Sequence, residues 1–379
     1  MKVWQINSNF HENQIYLFYP GDYDQQGKLH GEAEIRYKNG DYFLGHFEHG
    51  SIEGAGGLTE RTGDKYYGVF SSGALTGLVR EELDGGHMVR IVHYRTGVRH
   101  GPFLEYQAAA RQFLSVGRFD SGRKCGVCWT ARRGGGYLVG EVVTPAGQEE
   151  SLHNGNVIFL YPDLITAIQG QFSHGRLISG SLTHLTKVGL TGFLPELEVC
   201  APLSVQTSEL YHYQPAGSLS ISPSPMVRDP FEVRYVFVSE SRTGEGAGEG
   251  LFAKTDIPRG QLCALFNGVR QRRLTGQYLQ QTDWSDYRIG CGAETDLDIL
   301  PGQQTLANYR ATLAHKVCHS FNNNCSFAQF WHPRFGNIMS VVADRDIKAG
   351  EELSVSYNYK LDCAPLWYVE LWTSHCSNN

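Results

Sequence analysis

The stretch "GHFEHGSIEG", residues 45–54, contains the unit that decides the fold of the first half of the chain. A phenylalanine stands between two glycines, and a third glycine follows four residues after the second. The pair G-x-x-x-G returns at intervals of 23 to 25 residues. Its copies are Gly27/Gly31, Gly50/Gly54, Gly73/Gly77, Gly97/Gly101 and Gly122/Gly126. A regular period of this length indicates a repeat array.

Each repeat predicts a β-hairpin. Glycine adopts the positive φ that tight turns require, and alternating Phe, Tyr, Leu and Val suit the half-buried face of a strand. The motif G-x-F-x-x-G occurs in "GHFEHG", "GVFSSG" and "GRFDSG", and again in "GQFSHG", which ends at Gly175. Because one hairpin is barely stable, neighbouring hairpins must stack into a common sheet. The pattern resembles the MORN repeat over roughly residues 20 to 180, and its glycines and aromatics serve mainly to build that sheet.

The repeat pattern fades between about residues 182 and 228, where "SLSISPSPMVRDP" is typical of a connecting segment. We therefore expect a mostly β protein, in which an antiparallel hairpin array is followed by a second β-rich domain with short helices and a C-terminal helix. The predicted units are the array, a linker, the second domain and an aromatic helical segment, at residues 1–195, 196–232, 233–360 and 361–379.

Four motifs follow the linker in order. They are "GAGEGLFA" at 246–253, "AHKVCHSFNNNC" at 314–325, "IKAGEELSVSYNY" at 347–359 and "PLWYVELW" at 365–372. The glycine loop alone is weak evidence for a function. No G-K-[ST] follows it, which disfavours a site for nucleotide phosphates. Together the motifs resemble the SET domain of protein lysine methyltransferases, over roughly residues 235 to 372. With the array in front, the architecture is similar to MORN-repeat SET-domain enzymes that monomethylate the lysine at the fourth position of histone H3.

The resemblance implies a function. The methyl donor would be S-adenosylmethionine, with no metal, and the partners would be the histone H3 tail or other lysine-containing protein segments. The enzyme would act as a monomer in transcriptional activation, without direct binding to nucleic acid or membrane. It would lie in the nucleus on chromosomes, with the cytoplasm as a second compartment.

Methyl transfer to lysine is an in-line displacement in which a neutral amine attacks the sulfonium methyl group and the thioether leaves. Positioning therefore dominates, and an apolar channel lowers the pKa of the amine by desolvation. In the resemblance Tyr357 orients the amine and Tyr359 lines the channel. The cofactor residues that it implies are Ala247, Gly248, Glu249, Cys318, His319, Trp367 and Glu370. Each candidate also has a plain structural interpretation, such as a strand aromatic, a core histidine, a solvated loop carboxylate or a helix anchor.

Four departures from the family pattern bear on activity. Cys318 stands where the family has asparagine, which both donates and accepts hydrogen bonds. Phe266 and Phe327 stand where we expect channel tyrosines, so two hydroxyls are lost. The wider channel predicts that dimethyllysine is among the products, unless both rings only pack the core. The helix has one residue fewer between Trp367 and Glu370 than the family pattern.

The composition of the chain bears on its class of partner and on the state of its cysteines. The formal charge of -6 and pI near 6.2 favour a basic partner over nucleic acid. Nine scattered cysteines suggest reduced thiols, and neither a signal peptide nor a span of ~20 apolar residues is evident. "CGVC" at 125–128 is expected to be two small strand residues. Two alternatives stay open: a catalytically impaired scaffold, and a zinc protein using Cys318, His319, Cys325, Cys363 and Cys376.

Overall fold

The computed structural model is mostly β, as the repeat pattern predicts. It describes residues 15–19, 22–145, 150–191, 194–199, 210–217, 221, 224–243, 248–273, 287–362 and 364–377. Within these residues no helix is long and apolar enough to span a membrane.

The first half is an antiparallel meander in which almost every strand pairs with the next one along the chain. The exception is at the start, where β1 and β2 both pair with β3. The strands are β1 Ile15–Tyr19, β2 Asp22–Tyr23, β3 Leu29–Tyr37, β4 Tyr42–Glu48, β5 Ser51–Thr59, β6 Lys65–Ser71, β7 Ala74–Leu83, β8 Met88–Arg95, β9 Val98–Gln107, β10 Gln112–Asp120, β11 Arg123–Ala131, β12 Tyr137–Val143, β13 Leu152–Leu160, β14 Thr166–Ser173, β15 Arg176–Thr191 and β16 Leu194–Val199.

The glycine pairs have the backbone conformation that the sequence predicts. All ten glycines of the five pairs have positive φ. His49 (φ 48°) and Gly50 (φ 84°) form the two-residue turn between β4 and β5, and consecutive positive φ values are typical of a hairpin turn of the primed type. Gly54 (φ 79°) lies where the pairing register of β4 and β5 shifts, so it forms a bulge. Each repeat is therefore a tight turn followed by a bulge.

The core of the array is aromatic and needs glycine opposite its rings. Phe43 contacts Phe47 and Phe70 edge to face, with ring centroids 5.6 and 5.2 Å apart. A Cβ on Gly45 would lie 2.7 Å from the Phe43 ring, which is too close for any larger residue. In the "CGVC" segment, the buried thiol of Cys128 fills space above Gly117 in the same way.

In the described part of the second half the chain forms three small sheets and two α-helices. Their strand orders are β17-β18-β26-β23, β19-β25-β24 and β20-β22-β21. The elements are α1 Glu232–Tyr235, β17 Val236–Glu240, β18 Glu249–Ala253, β19 Leu262–Phe266, β20 Val269–Arg272, β21 Ile289–Gly290, β22 Thr295–Asp298, β23 Cys318–His319, β24 Cys325–His332, β25 Gly336–Ala343, β26 Glu352–Val355 and α2 Leu366–Ser377.

The segment "CHSFNNNC" packs against β26 and is held there by hydrogen bonds of the Asn324 side chain. β23 runs parallel to β26, with Cys318 opposite Ser354. The Asn324 amide donates to the Glu352 carbonyl at 2.8 Å and its oxygen accepts from the Ser354 N–H at 2.9 Å. Because one side chain satisfies both a donor and an acceptor of β26, the segment is held in register beside the strand.

The C-terminal end of the array and the second half share one buried core. Phe159, the penultimate residue of β13, meets Phe330 of β24 edge to face, with centroids 6.4 Å apart. The turn between β11 and β12 docks beside them, where the Trp331 N–H donates to the Arg133 carbonyl at 2.9 Å. The end of the array is thus packed directly against the strand that carries Phe327.

Candidate functional site

The glycine-rich loop joins β17 to β18 and is closed at its base by a carboxylate. The Ser241 N–H donates to the Gly248 carbonyl at 2.8 Å. Glu352 accepts from the Ser241 hydroxyl at 2.6 Å and the Arg242 N–H at 2.7 Å. A Cβ on Gly250 would lie 2.4 Å from this carboxylate, so glycine is required there. Gly248 has a φ of 69°, and Ala247 lies outside the described residues.

Glu249 begins β18 and pairs with a lysine that the motif analysis did not single out. The Lys316 ammonium lies 2.7 Å from Glu249 Oε2; the lysine side chain is 7% exposed and the glutamate 49%. A lysine is rarely so buried unless it is paired. The sequence signal was a charged residue within the apolar run "LAHKV". The pair offers both signs of charge at the edge of the loop.

Cys318 lies directly behind the same loop. Its Sγ is 3.5 Å from Ser241 Oγ and 3.7 Å from the Glu249 carbonyl oxygen. Burial raises the pKa of the thiol, so it is protonated at neutral pH. A thiol is a weak donor, and it holds the loop less firmly than an amide would.

His319 is buried beneath an aromatic cluster. Its Nδ1 accepts from the Tyr357 N–H at 3.2 Å, so the proton sits on Nε2. Burial lowers the pKa of the imidazole, which keeps it neutral. Among the described residues Nε2 has no hydrogen-bond partner, although it is fully covered. A covered donor without a partner is unusual and is suited to a ligand acceptor.

The two candidate tyrosines meet on a turn after β26. The Tyr357 hydroxyl donates to the Val317 carbonyl at 2.7 Å, across from "CHSFNNNC". Asn358 has a φ of 51°, and this left-handed residue brings the Tyr357 and Tyr359 rings together edge to face at 5.8 Å. The shared face therefore comes from the turn between them.

The C-terminal helix α2 completes the aromatic cluster. The Trp367 ring lies 6.1 Å from His319 and 6.2 Å from Tyr357, yet Trp367 is 40% exposed. Tyr368 is the residue that the helix buries, at 5% exposure, 4.8 Å from His319. The sequence did not distinguish these neighbours. Glu370 is exposed, and among the described residues no hydrogen bond or ion pair joins its carboxylate to the cluster.

Phe266 and Phe327 come together from two strands that flank β25. Their ring centroids are 6.5 Å apart and the rings are nearly perpendicular. Phe266 is buried, Phe327 is half-buried, and Tyr357 packs against the same hydrophobic cluster. The structure thus brings Phe266 and Phe327 together and places Tyr357 on the same large hydrophobic cluster, while Tyr359 contacts Tyr357 on the turn after β26.

The chemistry of these side chains fits S-adenosylmethionine. The Glu249–Lys316 pair provides opposite charges for an amino-acid head, and the aromatic rings of Tyr357, Trp367 and Tyr368 can cover a flat base or a cation. His319 Nε2 supplies a donor without a partner in the described part of the chain. In the same residues no group of three or more His, Cys, Asp or Glu could hold a metal ion; Cys363 lies outside them.

Comparisons with known proteins identify two families that match parts of the chain. Residues 248–358 match the family model described as "SET domain", and residues 119–191 match "Histone H3 K4-specific methyltransferase SET7 N-terminal". The chain is also similar to "Histone-lysine N-methyltransferase SETD7" of Halocynthia roretzi. The two are 32% identical over 360 residues, which cover 92% of this chain and 90% of that protein.

Proposed function

This chain belongs to the family of SET-domain histone-lysine N-methyltransferases that includes SETD7, and from that premise we propose that its substrate is the histone H3 tail, methylated at the fourth-position lysine. The chain is an S-adenosylmethionine-dependent protein lysine methyltransferase, and its substrates are proteins. The observation that supports the choice of substrate is the match of residues 119–191 to an N-terminal model named for that lysine. The net charge of -6 suits a basic tail.

The side chains of the site divide the work of methyl transfer. When bound, S-adenosylmethionine supplies an electrophilic methyl group. Lys316 and Glu249 hold the charged amino-acid end, and Trp367, Tyr368 and His319 cover the base. Gly248 and Cys318 hold the loop, and Ala247 and Glu370 stay in the proposed cofactor set.

The apolar side of the site keeps the amine of the substrate lysine neutral. The rings of Phe266, Phe327 and Tyr359 exclude water, which lowers the pKa of the entering amine and leaves it neutral without a dedicated base. Tyr357, held by the Val317 carbonyl, directs the nitrogen lone pair. Catalysis then depends mainly on positioning, since no other group needs to take part covalently.

A methyl-transfer assay tests the substrate. An H3 tail peptide is expected to gain methyl groups at the fourth position, while a peptide with arginine at that position gains none. Core histones provide the natural context, and mass spectrometry locates the methyl group. Transfer only to other lysines would overturn the choice of substrate.

Cys318 supports a second candidate function, a scaffold whose catalytic domain binds no cofactor. Calorimetry with S-adenosylmethionine separates the two functions, because the scaffold predicts no binding. For the enzyme we place the chain in the nucleus on chromosomes, as a monomer in transcriptional activation, with the cytoplasm as a second compartment.

The Cys318→Asn substitution is expected to tighten cofactor binding by about fivefold. The amide can donate to the Glu249 carbonyl or to Ser241 more strongly than the thiol, and one neutral hydrogen bond contributes about 1 kcal/mol. Calorimetry measures the affinity. Cys318→Ala, which removes the thiol without adding an amide, is the control and should not tighten binding. Weaker binding by Cys318→Asn would show that the site is built around the thiol.

The products are expected to include dimethyllysine. Phe266 and Phe327 lack hydroxyls that would occupy the channel, so a methylated amine has room to turn. Restoring both hydroxyls in Phe266→Tyr/Phe327→Tyr should lower the dimethylated fraction about fivefold. Phe237→Tyr, on an exposed ring of β17, is the control. Mass spectrometry at long reaction times measures the fractions, and strictly monomethylated peptide from the unmodified protein would refute the prediction.

A further inference from the structure

Two buried acidic side chains lie at the entrance to the second half, on the turn that begins α1. Asp229 and Glu232 are each 1% exposed. We call this pair the acidic staple. Among the described residues, no hydrogen bond or ion pair joins either side chain to the proposed cofactor or channel side chains, and neither takes part in the proposed methyl transfer. Buried acids of this kind need a reason, because burying a carboxyl group is costly unless it is hydrogen-bonded.

Glu232 holds together the two backbone segments that form the channel. Its Oε1 accepts from the Leu265 N–H at 2.7 Å and from the Leu313 N–H at 2.9 Å. Leu265 immediately precedes Phe266 in β19. Leu313 begins the segment that leads to Val317, whose carbonyl holds the Tyr357 hydroxyl. One oxygen atom therefore ties the strand that carries Phe266 to the segment that leads to Val317.

Asp229 connects this point to the hairpin array. Its Oδ1 accepts from the N–H groups of Phe231 and Glu232 at 2.9 and 3.2 Å, which fixes the turn. Its Oδ2 accepts from the Tyr161 hydroxyl at 2.6 Å and lies 3.0 Å from His332 Nε2. His332 Nδ1 accepts from the Arg334 N–H, so Nε2 carries the proton and donates.

The two side chains that contact Asp229 Oδ2 come from distant parts of the chain. Tyr161 follows the last residue of β13 in the array. His332 ends β24, the strand that carries Phe327. The staple thus joins the array to β19, to β24 and to the segment that begins at Leu313.

The protonation states fit this arrangement. Burial, and then the neighbouring Asp229, raises the pKa of Glu232 well above its usual value, so the side chain is a neutral acid. Burial likewise raises the pKa of Tyr161, which keeps its hydroxyl a donor. A neutral glutamic acid has nearly the same shape as glutamine, and both offer one carbonyl oxygen as acceptor.

We propose that Glu232 and Tyr161 are positioning residues for methyl transfer, and that the array sets the width of the channel through the acidic staple. The inference rests on the proposed function, since it concerns the geometry of that site. Displacing a reacting group by about 1 Å can lower the rate about 100-fold, so even a small relaxation of the staple should be measurable.

The Glu232→Leu and Glu232→Gln pair provides the first test. Glu232→Leu leaves the Leu265 and Leu313 N–H groups without an acceptor; we expect kcat to fall about 10-fold or more, with the cofactor KM changed by less than about twofold. Glu232→Gln keeps the acceptor oxygen and should retain at least about half of kcat. Amide hydrogen exchange should speed up at Leu265 and Leu313 in the leucine variant alone. Equal kcat in folded Glu232→Leu and unmodified protein would overturn the proposal.

Tyr161→Phe provides a milder test should the leucine variant not fold. It removes only the hydroxyl that reaches Asp229, and kcat is expected to fall about threefold, with a changed ratio of mono- to dimethyllysine. The matched control is Tyr94→Phe, which removes a buried hydroxyl that donates to Glu81 at 2.7 Å within the array. Both variants should melt at a lower temperature, but only Tyr161→Phe should alter kcat.

The outcomes separate the two proposals. If the unmodified protein methylates no histone, the proposed function fails and the inference fails with it. If the unmodified protein is active and Tyr161→Phe behaves like Tyr94→Phe in kcat and product ratio, only the inference fails.

Discussion

Replacing Tyr357 with phenylalanine is expected to lower kcat for lysine methylation by about 100-fold, while cofactor affinity stays within about threefold. The Tyr357 hydroxyl donates to the Val317 carbonyl at 2.7 Å, so one hydrogen bond fixes both oxygens beside the aromatic cluster. These oxygens are suited to directing the amine and to accepting weak C–H contacts from a polarised methyl group. The substitution removes the tyrosine oxygen and leaves the Val317 carbonyl without this donor. Both changes should destabilise the transition state more than the complex with bound cofactor.

Single-turnover kinetics with an H3 tail peptide measures this effect apart from product release. Calorimetry supplies the cofactor affinity, and the melting temperature shows that the variant is folded. Tyr94→Phe is again a suitable control, because it also removes a buried tyrosine hydroxyl but lies within the array. Retention of more than half of kcat by Tyr357→Phe would show that this hydroxyl does not orient the reacting amine.

Replacing Lys316 with methionine is expected to weaken S-adenosylmethionine binding by about 10- to 100-fold, with kcat at saturating cofactor changed little. A hydrogen bond to a charged group contributes about 1.5–3 kcal/mol, which corresponds to this range. Lys316 is a buried ammonium beside the loop, so a cofactor carboxylate there would be poorly screened by water. Methionine keeps the length and apolar stem of the side chain, so packing is largely retained.

The matched control is Lys348→Met in the same half of the chain. Lys348 pairs with Asp256 at 2.8 Å, but both side chains are well exposed, so the pair should contribute little to folding and nothing to cofactor binding. Both substitutions remove one positive charge, which cancels any effect of net charge. If the two variants bind S-adenosylmethionine equally well, the cofactor carboxylate does not lie against Lys316.

Local signals in the sequence account for the hairpin array. The glycine pairs predict tight turns because positive φ is a property of a single residue and its neighbours, whereas the bulge at Gly54 is seen only in the structure. The recurrence of these pairs then requires stacking, since one hairpin cannot bury its apolar face alone. The four ordered motifs indicate the reaction class through their resemblance to the SET domain.

Such local signals do not show which residues of the C-terminal helix are buried. Trp367 and Tyr368 are adjacent and both aromatic, and nothing in "PLWYVELW" states which of them faces His319. Docking of α2 against the "CHSFNNNC" segment buries Tyr368 and leaves Trp367 40% exposed. Lys316 was overlooked for a similar reason, because its pairing with Glu249 depends on two segments that are far apart in the chain meeting at the loop.

The strand period and the turn positions can be read from the sequence because they depend on local conformation, and the resemblance of four short motifs to a known family indicates the class of chemistry. The hydrogen-bond network of Tyr161, Asp229 and His332, and the link that Glu232 makes between Leu265 and Leu313, are visible only in the folded chain. Such contacts form when distant strands close on each other and water is excluded. A buried donor must then find an acceptor wherever the fold places one.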